Sequence, residues 1–137
     1  MNIEVSDEIR RNFKLFWDNF PFAVTLVYKD RTIVEVNTAA QELGYPVGIR
    51  CIDMGERKHH AHCKAHLALR NKTGVRTVGY YDFLEKVIDG YWIPLAGSED
   101  LFVHFGIDIT PYAAESLFPA PCGADASGAG RCGVGSF

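Results

Sequence analysis

Two short runs with strand chemistry, FAVTLVYK (22–29) and TIVEVN (32–37), stand on either side of Asp30 and Arg31. A connection of two residues leaves room for a tight antiparallel hairpin and little else, so this stretch sets the local topology. The segment TAAQEL (38–43) continues as a short helix that Gly44 ends.

Upstream, SDEIRRNFKLFWDNF (6–20) predicts an amphipathic helix. Ser6 is placed to cap it, and Asp7 and Glu8 suit the positive end of its dipole. Ile9, Phe13, Phe16, Trp17 and Phe20 recur at helical spacing, and Pro21 stops the run. The aromatic stripe packs either on the domain's own sheet or on a second copy of the chain. Downstream, Pro46, Gly48 and Gly55 break any period across 45–57. A second helix is predicted from about Arg57 to Lys72, with Gly74 closing it. Three further strands follow at 75–83, 86–95 and 101–110. Helix, two strands, helices and three strands make an α+β domain on a five-stranded antiparallel sheet with flanking helices. The expected divisions are an N-terminal amphipathic helix (1–20), one domain (21–112) and a flexible Gly/Pro-rich tail (113–137).

Several function classes are excluded at this stage. A chain of 137 residues with a net charge of -3 carries no basic footprint for nucleic acid. The start, MNIEVSDEIRRNF, has no apolar core of a secretory signal, and no apolar run approaches the ~18 residues of a membrane span. No membrane partner is expected, and the expected location is cytoplasmic. The four cysteines, Cys51, Cys63, Cys122 and Cys132, are then free thiols, ligands or redox groups rather than a disulfide framework. Asp82, Glu85, Asp89, Glu99 and Asp100 read as turn and strand-edge charges, with no nucleophile–base–acid set, so no enzyme is expected.

Taken together, the hairpin ending in Asn37, the small-residue helix TAAQELGY, Gly48, the Ile93-Pro94-Leu95 close of a strand and LFVHFGIDIT with its Asp108-Ile109-Thr110 finish resemble the PAS sensor fold. The resemblance covers residues 20–110. It implies a stand-alone, bacterial-type sensor in which sheet and helices enclose a small cavity for haem, flavin, a metabolite or nothing. With Pro111 and a glycine-rich tail after the DIT finish, the signal is expected to leave by protein–protein contact. A homodimer through the 6–20 helix, or an unknown signalling partner, would carry it.

KHHAHCKAH (58–66) holds four of the five histidines. In a helix, His62 and His66 lie one turn apart, while His59, Cys63 and His66 share a stripe that a metal ion could use. The resemblance makes this helix a cavity wall, where haem-binding relatives carry their axial histidine; His62 and His66 are then candidates. On the last strand Phe102, His104 and Gly106 share one face. The expected ligand-binding set is His62, His66, His104, Trp92 and Leu69. Cys51 and Cys63 form a possible redox pair, or two thiols packed as small hydrophobes. VGIRCIDMG departs from the light-oxygen-voltage pattern GxNCRFLQ at Arg50, Ile52 and Gly55, so flavin is not expected. The reading is a small-ligand or cofactor sensor. Its alternatives are a haem-, zinc- or redox-responsive module and a dimerisation scaffold without ligand.

Overall fold

The structure, a computed structural model, describes residues 4–56, 60–61 and 63–120. Helix α1 (Asp7–Trp17) is capped by Ser6, whose Oγ accepts from the Ile9 N–H at 3.2 Å. It ends three residues earlier than predicted, because the Phe20 N–H turns back to the Trp17 carbonyl at 2.9 Å ahead of Pro21. The aromatic stripe divides. Phe13 is buried and Trp17 and Phe20 meet other rings, whereas Leu15 and Phe16 are each 76% exposed. No helix among the described residues is long and apolar enough to cross a membrane.

Strands β1 (Val24–Tyr28) and β2 (Ile33–Val36) form the expected hairpin, but its loop has three residues rather than two. The Tyr28 N–H donates to the Thr32 carbonyl at 2.8 Å, and the Asp30 carboxylate accepts from the Thr32 N–H at 2.8 Å. Arg31 adopts the left-handed conformation (φ 81°) that the last residue of such a loop needs. Helix α2 (Thr38–Glu42) follows directly, capped by Asn37, and Gly44 with φ 84° releases the chain from it.

After α3 (Ala65–Asn71) come β3 (Val75–Tyr81), β4 (Lys86–Pro94) and β5 (Leu101–Asp108). The sheet is antiparallel with order β2-β1-β5-β4-β3, so the last strand inserts beside the first. The predicted α+β class and strand count therefore stand. Helix α3 closes at Lys72, itself left-handed (φ 54°), and not at Gly74 as the sequence suggested.

The chain divides into two compact units: residues through Val75 with Tyr91–Gly106, and Arg76–Gly90 with residues from Ile107 onward. In the first, the pairing of Val24 with Phe105 and Val27 with Phe102 shows how the strand faces alternate. Trp17 and Phe20 lie 5.4 and 5.3 Å from Phe105 between ring centres, so α1 covers that face. The other face carries Phe102, Val27 and Trp92 and is closed by Ala65 and Ala68 of α3.

In the second unit, Arg76 grips Asp89 through two bonds of 2.7 and 3.0 Å. Asp89 is buried in this pair and is not the strand-edge charge its sequence suggested. The Val87 N–H donates to Thr110 Oγ at 3.0 Å, and the Tyr80 and Phe118 rings approach to 5.9 Å. Residues 113–120, expected as the start of the tail, include a 3-10 turn (Glu115–Leu117) and the buried Pro119. Cys122, Cys132 and the rest of the expected tail lie outside the described residues.

Candidate functional site

The site is built from the inner face of β5, the end of β4, the two thiols Cys51 and Cys63, and α3. His104 sits on β5 beside buried Phe102, as strand alternation predicts. Its ring stacks on Trp92 at 4.8 Å with planes 15° apart, and its Nδ1 lies 2.8 Å from the Tyr91 carbonyl. A carbonyl only accepts, so Nδ1 carries the proton and Nε2 presents a lone pair. Burial holds the His104 imidazole below its ordinary pKa; the Tyr91 carbonyl opposes that shift and the His60 charge adds to it. A neutral ring with one fixed nitrogen can accept a hydrogen bond or ligate through the other.

The histidine helix is shorter than predicted. Helix α3 begins at Ala65, not near Arg57, because His60 Nε2 reaches back to the Met54 carbonyl at 2.7 Å and the Cys63 N–H bonds the His60 carbonyl at 3.2 Å. Those bonds form a turn where the period predicted helix. Cys63 therefore lies before the helix that carries His66, rather than one turn along it as predicted. His66 is exposed, one residue past buried Ala65, and does not line the inner face. His59 and His62 lie outside the described residues. Leu69 packs against the inner cluster of Val27, Ala65, Ala68, Trp92 and Phe102, so it and Trp92 are core as much as site.

Cys51 and Cys63 are free thiols, half buried against that same cluster. Burial pushes the Cys51 thiol up to about 11; the Cys63 charge adds to this and Arg31 opposes it. Cys51 is thus a protonated thiol at neutral pH. Among the described residues no three of His, Cys, Asp and Glu are grouped to hold a metal ion. Haem would need space on a face that Trp92 and Phe102 fill. An open surface pocket of about 440 Å³, lined by residues 72–74 and 94–99, includes none of the candidate residues.

Sequence reasoning missed the Met54 and Tyr91 carbonyls, which position the two histidines, because backbone acceptors leave no signal in residue identity. It also used Asn37 only as a motif letter. The Asn37 side chain is fully buried: its Oδ1 accepts from the Val24 and Ala40 N–H groups at 2.9 and 3.0 Å, and its Nδ2 donates to the Trp17 and Phe22 carbonyls at 3.0 and 2.9 Å. The preference of asparagine for N-caps was the available clue.

No family model and no curated protein matches the sequence. Solved structures do. The PAS domain of Bordetella pertussis BvgS superposes with a TM-score of 0.60 at 15% identity, over 77% of this chain and 88% of that one. A sensory box sensor histidine kinase from Vibrio cholerae gives 0.56 at 17%, over 80% and 100%. A domain of an HTR-like protein from Haloarcula marismortui gives 0.54 at 21%, over 66% and 99%.

Proposed function

We propose that this chain, whose fold is that of a PAS domain, is a sensor module that reads a small ligand at the inner face of its sheet and passes its state on by protein contact. The observation that carries this reading is His104. Its Nδ1 proton is committed to Tyr91 and its plane is fixed by Trp92, which leaves the Nε2 lone pair for a donor on the ligand. A ligand shifts the module only through different affinities for two packings of the inner face, and Trp92 is the side chain that must move to admit one. In this reading the ligand is a small organic molecule with a hydrogen-bond donor for Nε2. The module binds and relays; no catalytic step is assigned to it. The relay leaves through α1, whose Leu15 and Phe16 face solvent, toward a second copy or a signalling protein.

Two measurements test the ligand reading: native mass spectrometry and an absorption spectrum of protein purified without a polyhistidine tag. A co-purifying small molecule that is lost in His104→Leu supports it. Protein that carries nothing, together with a His104→Leu variant whose small-molecule binding profile is unchanged, sinks it. A second reading, a dimerisation scaffold without ligand, is favoured by the mutual burial of Val27, Ala65, Ala68, Trp92 and Phe102. A ligand-free protein that dimerises through α1 would establish that reading instead.

A further inference from the structure

Two thiols stand outside the ligand reading. Cys51 opens the 3-10 turn Cys51–Asp53, where its N–H donates to the Arg31 carbonyl at 2.8 Å. Cys63 stands two residues before α3, where its N–H donates to the His60 carbonyl at 3.2 Å. Backbone bonds thus anchor each cysteine to a different part of the chain. Both side chains nevertheless pack on one cluster, formed by Val27, Ala65, Ala68, Trp92 and Phe102.

We propose that Cys51 and Cys63 form a reversible dithiol–disulfide pair, a modification site whose co-reactant is a small-molecule disulfide. The exchange balances without any other reagent. The Cys63 thiolate attacks one sulfur of RSSR, forming a Cys63–SR bond and expelling RS⁻, which takes up the proton that Cys63 released. Cys51 then gives up its proton and attacks the Cys63 sulfur. The Cys63–SR bond breaks and a second RSH leaves. Two protein thiols lose two electrons, and RSSR gains them as two RSH. The order follows from the surroundings. Burial keeps Cys51 protonated, so it is the poorer opening nucleophile and the resolving thiol. Both groups are half buried rather than sealed, which leaves Cys63 a route to a small reagent.

The bond would close a loop from residue 51 to residue 63 and tie the 3-10 turn to the entry of α3, beside Trp92. Oxidation would therefore lock the wall of the inner face and reduction would release it. The proposal does not depend on any ligand at His104, and the two stand or fall by different measurements.

The test uses the full chain with Cys122→Ser and Cys132→Ser, equilibrated in mixtures of reduced and oxidised glutathione. Intact mass and non-reducing peptide mapping are read together, with the unsubstituted chain mapped in parallel. The expected result is a loss of two hydrogens, one linked peptide pair joining Cys51 to Cys63, and full reversal by dithiothreitol. Cys51→Ser should accumulate a glutathione adduct on Cys63, while Cys63→Ser leaves Cys51 unmodified. Glutathione adducts without the link, links to Cys122 or Cys132 in the unsubstituted chain, or modification only under unfolding conditions would each overturn the proposal. Because mapping of the cysteine pair itself decides the matter, poor folding of either single variant leaves the test intact.

Discussion

The two faces of strand β5 are built from different materials. On the face under α1, Phe105 is enclosed by rings: Tyr91 stacks on it at 4.9 Å, and Trp17 and Phe20 close at 5.4 and 5.3 Å. Ring-on-ring packing of this kind buries large apolar surface in preferred offset and tilted geometries. On the opposite face, one residue along, His104 stacks on Trp92, and the neighbouring cover includes two thiols and two alanines. Polar, titratable and small groups gather there, at the edge of a second buried cluster made by Val27, Trp92 and Phe102. Both faces are buried, but only the face under α3 adds an imidazole and two thiols to its apolar cover. A strand with period two makes that division possible within a single element.

This contrast can be broken in several ways. The largest effect is expected at Asn37, which clamps the end of α1 to β1 and α2. Asn37→Ala orphans two buried N–H groups and removes the donor to two carbonyls, so it should cost at least about 3 kcal/mol in urea unfolding. A loss below 1 kcal/mol would show that the clamp is not holding the outer face. Next comes Phe105→Ala, expected to cost about 3 kcal/mol through the cavity it leaves. It should leave reactivity at Cys51 and Cys63 unchanged, and altered thiol kinetics would mean that the faces are coupled.

Smaller effects sharpen the comparison. His104 has a folded-state pKa below its ordinary value of 6.5, so the unfolded chain takes up the proton first as pH falls. The stability that comes from its neutral form is present above about pH 6.5 and is lost as pH falls toward the depressed folded value. Unfolding free energies at pH 7.5 and 5.5 should therefore fall further for the wild type than for His104→Gln. Equal falls would mean that His104 is not buried neutral. Smallest of all, Phe16→Ser should change stability by less than about 0.5 kcal/mol, since its ring is already in water. It should nonetheless weaken self-association in sedimentation velocity; unchanged association would remove α1 as the exit.

What the sequence disclosed was whatever depends on near neighbours. The hairpin around Asp30, the Ser6 cap and the alternation in LFVHFGID all rest on residues within a few positions of one another, and the structure keeps them. What it concealed depended on distant or backbone partners. The period through KHHAHCKAH suggested a helix, but the Met54 carbonyl draws His60 into a turn. Loop length was misread because a left-handed arginine at 31 does the work usually given to glycine or asparagine. Opposite charges at Arg76 and Asp89, on either side of the 82–85 turn, were a usable signal for cross-strand pairing that went unread. At the candidate site, the position of His104 on the face of Phe102 was legible from strand alternation, whereas the exposure of His66 was not, since helical phase depends on where the helix starts.

The Asn37 clamp also bears on the order in which the chain takes shape. Every partner of that side chain lies between residues 17 and 40, so α1, β1, β2 and α2 join through short closures that cost little entropy. The other neighbour of β1 is β5, and Thr25 pairs with His104 across 79 residues. During synthesis the N-terminal quarter is expected to assemble first, with one edge of β1 open until residues 101–105 emerge. An open edge is a template for the wrong strand, and the interval in which it waits is the period of greatest risk for aggregation. Pulsed hydrogen exchange during refolding should show protection of residues 24–37 ahead of 101–105; simultaneous protection would contradict this order.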